Sequence, residues 1–374
     1  LVLRAARAVN VRQGQRCVVL FQHGGGAAGF VRTLHLETPG LTTCVVNVAP
    51  AHPEAVDRIM AEVASASGYT EAHYDAVGRR REPRLTLAPV PTASATAPEY
   101  PIGPADVLLV TGGGKGIAAE SALALGRATG AGLVLMGRSD PEADKELAEN
   151  LARIAAAGVR CVYVRADVTD ARAVHTAVME AESRLGPVTA LLHGAGTNTP
   201  KLIAALDEDA IQSTLAPKIQ GLRNVLAALN PGRLRLLVTF GSVIARTGFR
   251  GEADYALANE WQTALTEEFQ ARHPSCRCLA LEWSVWSGVG MGERLGRVDS
   301  LIQQGIMPIH PDEGVRILLE RLRHPQPATA LVVTGRFGEP PTLKLTQPEM
   351  PLQRFLERKR AYYPGVELVV DAEL

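Results

Sequence analysis

Aromatic side chains are scarce in this chain of 374 residues, at 5%, and neither sign of charge is in excess, with 39 Lys and Arg against 39 Asp and Glu. A balanced surface offers no net field for nucleic acid or an anionic membrane. Apolar runs long enough to span a bilayer are missing. Cysteines are few and odd in number: Cys17, Cys44, Cys161, Cys276 and Cys278. None forms a CxxC pair, and Cys276 and Cys278 are too close for an ordinary bridge. Neither a disulfide framework nor a metal site is expected. A reducing cytoplasm is the setting this implies. There is no initial Met and no signal peptide, so Leu1 reads as the start of a piece of a longer polypeptide. What is present is ordinary for a folded protein: 46% apolar and 21% charged residues. At this length the chain buries a large core and has room for two domains.

Residues 17–22 and 42–49 read as short buried strands, and 54–67 as an amphipathic helix. After the strand-like 84–88, PVPTASATAPEYPIGPAD marks a linker near 89–105. Beyond it the pattern alternates. Strands are expected at 106–111, 132–136, 160–165, 189–193, 235–240, 277–282 and 329–334. Helices are expected at 116–129, 141–157, 170–185, 207–228, 252–272 and 311–323. Apolar strands separated by helices predict an α/β fold, a doubly wound parallel Rossmann sheet that holds ligands beyond the carboxyl ends of its strands. The first segment is a weaker copy of the same rhythm. Its loop His23–Gly29 has two readings: a second nucleotide site, or a degenerate turn in a packing unit. The second is favoured, because no ribose anchor and no catalytic set follow.

In the second segment, Thr111-Gly112-Gly113-Gly114-Lys115-Gly116-Ile117 follows the first strand and runs into a helix. Such glycines let backbone amides approach a diphosphate at a helix N-terminus. The next strand ends in Gly137-Arg138-Ser139. An acidic residue there would suit the ribose 2′-hydroxyl of NAD, whereas Arg138 suits a 2′-phosphate, which favours NADPH. The alternative is a solvated surface arginine. Asp167, before Val168, is read as an adenine partner or a helix N-cap, although Thr169 or Asp170 would cap better. His193-Gly194-Ala195-Gly196 reads as a turn under the cofactor ribose, with His193 structural.

A ketone that gains a hydride becomes an alkoxide and needs a proton. Tyr255 can donate one, but its ordinary pKa of about 10 makes it sluggish near neutrality. Lys218, in an earlier helix, is the candidate cation that favours the phenolate. Ser242 follows a strand and can polarise the carbonyl. Asn259, one helical turn after Tyr255, can position Lys218 or a water.

These residues carry a resemblance. TGGGKGI, GRS, ADVTD, HGAG, PKIQG, FGSV, YALAN and the Trp283-Ser-Val-Trp286 to Gly290-Met291 stretch occur in the order seen in polyketide synthase ketoreductase domains, which are short-chain dehydrogenases. Most of that superfamily places lysine four residues after tyrosine. Asn259 at that place, with Lys218 elsewhere, is typical of synthase reductases. The resemblance covers about residues 105–335. It implies a truncated Rossmann-like structural subdomain over 1–95 that binds no cofactor, and an NADPH-binding catalytic subdomain over 96–340. It implies reduction of a β-ketoacyl chain on the phosphopantetheine of an acyl carrier protein. Residues 341–374 resemble a linker into a dehydratase domain, the alternative being an edge strand of the reductase itself. Two stereochemical motifs are replaced: Asn198-Thr199-Pro200 takes the place of Leu-Asp-Asp, and Thr247 the place of a tryptophan. HGAGTNTPK and RTGFRGEADYALANEW are similar to iterative synthases that make enediyne or polyunsaturated chains. The segment 288–305 is expected to be a mobile lid. The competing reading is a non-catalytic scaffold module. A nucleotide-sugar enzyme is disfavoured, since those usually keep the lysine after the tyrosine.

Overall fold

In the larger sheet, β6 (Val107–Thr111) is flanked by β9 (Ala190–His193) on one side and β7 (Gly132–Gly137) on the other. It belongs to a computed structural model that describes residues 1–10, 16–88, 99–303, 305–324, 328–336, 340–346, 358–363 and 367–371. Beyond β7 lies β8 (Cys161–Arg165). Beyond β9 come β10 (Leu236–Ser242), β11 (Arg277–Trp283) and β12 (Ala330–Val333). The order is β12-β11-β10-β9-β6-β7-β8, and every pairing is parallel. Strand order reverses between β6 and β9, so a crevice opens there at the carboxyl ends.

The alternation along β6 and β7 explains the two-sided core. Leu108, Val110, Leu133 and Leu135 enter one buried cluster, and Val107, Leu109, Val134 and Met136 enter the other. The covering helices are α4 (Gly116–Thr129), α5 (Lys145–Ala156), α6 (Ala171–Leu185), α7 (Glu208–Lys218), α8 (Gln220–Ala228), the short α9 (Ile244–Thr247), α10 (Ala253–Arg272) and α13 (Pro311–Arg323), with α11 (Met291–Arg294) and α12 (Val298–Gln303) between the last two.

Two helices differ from expectation. The expected 141–157 begins only at Lys145, because Asp144 caps it by accepting from the amide of Leu147. The expected 207–228 is broken into α7 and α8. Pro217 lies in the last turn of α7 and cannot donate an amide proton, and the chain turns at Ile219. That break leaves the carbonyl of Pro217 free to meet His193. Asp170, not Asp167, caps α6.

The first segment folds as α1 (Val2–Asn10), β1 (Arg16–Gln22), α2 (Ala28–Glu37), β2 (Leu41–Asn47), α3 (Ala55–Ser65), β3 (Tyr69–Tyr74), β4 (Arg80–Arg81) and β5 (Arg84–Thr86). Strands β1 to β4 form a sheet in that order, parallel except for β4. Three amides of its glycine loop have side-chain partners. Gln22 accepts from Ala27, Asn47 accepts from Gly24, and Glu260 of α10 accepts from Gly29 at 2.9 Å.

Helix α2 lies directly on α10. Phe30 and Leu34 are buried with Ala253, Leu257 and Ala258, contributing on the order of 2 kcal/mol each. Gly29 marks the closest approach, since a Cβ there would lie 2.9 Å from the carbonyl oxygen of Ala256. Glu37 accepts from the amides of Gly251 and Ile203, both at 2.8 Å. Arg32, paired with Glu71 at 2.8 Å, also donates to the carbonyl of Ala245 at 2.5 Å. The first segment therefore braces the stretch between Ser242 and Tyr255.

After β12 the chain returns to the first segment. Residues 344–346 form β13 (Lys344–Thr346), which pairs in parallel with β5. Thr342 donates to the carbonyl of Thr247 at 2.5 Å. Arg358–Tyr363 and Glu367–Asp371 form an antiparallel pair. Of the linker expected at 89–105, residues 89–98 lie outside the described residues.

Candidate active site

The crevice at the switch point is one continuous cavity of about 1290 Å³, lined from Arg138, Ser139 and Asp167 at one end to Ser242, Tyr255 and Lys218 at the other. It exceeds the ~300–1,000 Å³ of common small-molecule sites, which fits a dinucleotide with a second ligand beside it. The glycine loop lies along its middle. Gly112 has φ +67°, and a Cβ there would lie 3.1 Å from the amide nitrogen of Ala195. Only glycine lets the two loops approach so closely.

The expected nucleotide residues divide into those that face this space and those behind it. Gly112, Gly114, Lys115, Ile117, Arg138, Asp167, Val168, Gly194, Ala195 and Gly196 line it. Thr111, Gly113, Gly116 and His193 do not; they shape the loops from behind. The ring of His193 is fully buried, and burial first, then the neighbouring Lys218, depresses its pKa to about 3. It is neutral. Nε2 faces the carbonyl of Pro217 at 3.1 Å and so carries the proton, while Nδ1 accepts from the Thr111 hydroxyl at 2.9 Å. Thr111 Oγ1 in turn accepts from the amide of Ala195 at 3.3 Å. This chain ties the glycine loop, the 194–196 turn and the end of α7 together, so Thr111 and His193, expected among the cofactor residues, stand behind the cavity lining.

Lys115 is also committed, to Asp144 at 2.5 Å and Ser139 at 3.2 Å. Hydrogen bonding from Lys115 leads the effects that hold the Asp144 carboxyl at about 2. At the far end Arg138 is exposed and lies 3.6 Å from Asp167. Burial alone would raise the Asp167 carboxyl, but the amide and hydroxyl of Thr169, with Arg138, hold it below its ordinary value.

At the other end three elements converge. Ser242 ends β10, Tyr255 sits in the first turn of α10, and Lys218 ends α7. The Lys218 Nζ lies 5.7 Å from the centre of the Tyr255 ring. It donates to the carbonyl of Phe240 at 2.9 Å and to Gln262 Oε1 at 2.8 Å. Burial lowers its pKa to about 7. Burial first, then the charge of Glu252, raises the Tyr255 hydroxyl to about 12.

Asn259 was expected to position Lys218 or a water. It does not hold Lys218 and does not line the cavity. Its Nδ2 donates to the backbone carbonyl of Tyr255 at 2.7 Å. Gln262 holds the lysine instead. It lies seven residues after Tyr255, two turns on, and that spacing was the signal available in the sequence. Glu252 was missed too. It is 2% exposed, lines the cavity, and pairs with Arg297 at 2.8 Å. It stands at the N-cap of α10, three residues before Tyr255. Burial leads the effects that bring its carboxyl to about 7.

Comparisons with known proteins agree with this geometry. Residues 107–288 match the KR domain family. The chain is similar to polyketide synthase PksL of Bacillus subtilis, 28% identical over 349 residues, covering 88% of this chain and 8% of that protein. It is similar to erythronolide synthase EryA3 of Saccharopolyspora erythraea, 30% identical over 312 residues, covering 82% of this chain and 9% of that protein. The chain thus spans less than a tenth of either curated relative. Among solved structures, an A-type ketoreductase from a modular polyketide synthase is 25% identical with a TM-score of 0.75, covering 89% of this chain and 71% of that one. A C2-type ketoreductase is 26% identical with a TM-score of 0.68, covering 90% and 73%. Fold and site define a reductase of the short-chain dehydrogenase class. Residues 107–288 form a KR domain, and the relatives and solved structures the chain is similar to are polyketide synthases and their ketoreductases.

Proposed function

We propose that the chain reduces a β-ketoacyl thioester, held on an acyl carrier protein, to the β-hydroxyacyl thioester with NADPH. The observation that carries this is the convergence of Ser242, Tyr255 and Lys218 on one end of a cavity whose other end is a glycine loop followed by Arg138. The loop, the 194–196 turn and the crowded Gly112 suit a dinucleotide, and Arg138 with Asp167 suits its adenosine 2′-phosphate end. When bound, the nicotinamide supplies the hydride to the β-carbon.

The chain's own groups handle the oxygen. Ser242 Oγ donates to the ketone and stabilises charge as it develops. The Tyr255 hydroxyl gives its proton to that oxygen, yielding the alcohol and leaving a phenolate. A phenolate is costly in a buried site, as the raised pKa of about 12 shows. The Lys218 ammonium, fixed by Phe240 and Gln262, offsets that cost. Solvent then returns a proton to Tyr255. Leu36, Phe249, Leu295, Leu301 and Ile306 also line the cavity and offer an apolar bed for the acyl chain.

The test is consumption of NADPH, followed by its absorbance, with an acetoacetyl thioester. Tyr255→Phe is expected to lower turnover by at least a hundredfold while NADPH still binds. A well-folded wild-type chain that binds NADPH and turns over no β-ketoacyl thioester would instead support a scaffold module.

A further inference from the structure

Helix α11 and the turn after it pass over the glycine loop. Neither α11 nor α12 buries a residue fully, yet Met291, Gly292, Arg294, Leu295 and Arg297 line the cavity. The Arg294 guanidinium lies over the first turn of α4, with Nη2 3.0 Å from where a Cβ on Gly116 would be. Its ion-pair partner is Glu146, and the contact is long, at 3.8 Å, with side chains 52% and 50% exposed. Such a pair is worth little. The other oxygen of Glu146 accepts from the Gly116 amide at 3.2 Å. A single carboxylate thus sits on the start of a 14-residue helix and draws an arginine to the mouth of the loop.

The other cations along this stretch are engaged. Lys115 is bound by Asp144 and Ser139, Arg138 pairs with Asp167 at the adenosine end, and Arg297 pairs with Glu252 beside Tyr255. Among the described residues that line the cavity, Arg294 is the cation over the glycine loop whose partner is weak and displaceable. We infer that Arg294 binds the diphosphate of the dinucleotide, and that Glu146 holds that place until the dinucleotide arrives. This rests on the dinucleotide reading of the cavity. A diphosphate carries more charge than one carboxylate and matches the donor fork of arginine. It takes over the guanidinium, and Glu146 loses its hold on Arg294. Because Arg294 belongs to the segment over the cavity and Arg297 of the same segment already holds Glu252, nucleotide binding adds a second tether to this segment. Arg294 is a binding residue and takes no part in hydride or proton transfer.

The test titrates NADPH and NADH into the intact chain and reads binding by nicotinamide fluorescence, without substrate. Both dinucleotides share the diphosphate, so Arg294→Ala is expected to weaken both alike, by about tenfold or more. Arg294→Lys, which keeps the charge and loses the fork, falls between. Glu146→Ala removes the competitor and is expected to tighten both about twofold. Wild-type affinity in Arg294→Ala overturns the proposal, and so does weakening of NADPH alone, which would move the arginine to the 2′-phosphate. Weaker binding in Glu146→Ala overturns the role of Glu146. Failure of the dinucleotide reading looks different: the unsubstituted chain then binds neither nucleotide, and this assignment falls with it. Limited proteolysis adds a second measure, with cleavage in 288–303 suppressed by NADPH in the wild type and not in Arg294→Ala.

Discussion

Lys218 has a double obligation. It must be charged to stabilise a phenolate, yet it is buried where charge is disfavoured, and its pKa falls from 10.5 to about 7. Between those values the unfolded chain holds a proton that the folded chain has lost. Stability therefore rises with pH across that window, by up to about 1.4 kcal/mol per pH unit from this group. The penalty is fully present below about pH 7. Relative to Lys218→Met, the wild type should gain stability between pH 7 and 9, read from urea midpoints of both proteins. Equal slopes would mean that the lysine titrates normally. Arg138 supports a second expectation at this scale. It is exposed and near Asp167, so Arg138→Ala should leave stability unchanged and raise the Kd for NADPH about tenfold or more, with NADH little affected. Equal effects on both would remove the 2′-phosphate assignment.

Residue types and their order made much of this site legible before any coordinates. The glycine loop, Arg138, Ser242, Tyr255 and the displaced lysine were readable because each lies at a fixed place on a strand end or helix turn. Contacts across elements were not. Spacing brought Asn259 onto the face of Tyr255, but the amide turned back to its own helix backbone, and Gln262 took the lysine. Thr111 and His193 occupy strand ends like true ligands, yet their side chains point to one another. Glu146 and Arg294 belong to elements that meet only in the fold, so no local pattern announced them.

At the scale of elements, strands were the most readable and helix breaks the least. Pro217 was visible in the sequence, but a single proline near a helix end does not say whether the helix stops or bends. The crossing of α2 on α10 was also hidden, since it depends on a glycine without unusual backbone angles. Gly29→Ala tests it. In an isolated helix the change would stabilise by up to about 1 kcal/mol. Here the new Cβ meets the backbone of Ala256 at 2.9 Å, and overpacking of that kind costs about 1–3 kcal/mol. The clash should win. A lower urea midpoint is expected together with a loss of turnover, because α10 carries Tyr255. A midpoint at or above that of the wild type would show that α2 shifts freely.

At the scale of the whole molecule, the parallel seven-stranded sheet was readable from its rhythm of strands and helices, while the return of the chain after β12 was not. Three-residue strands such as β13 carry too little pattern to be seen. Their pairing is set by the surface they meet. Once made, that pairing joins a strand that precedes the seven-stranded sheet in the chain to one that follows it. During synthesis the order of events is then unusual. Strand β5 leaves the ribosome early, and its partner β13 follows roughly 260 residues later, on the order of tens of seconds at ~5–20 residues per second. Through that interval the edge of β5 waits unpaired while the whole seven-stranded sheet is made, so the smaller unit begins folding before that sheet and is finished after it.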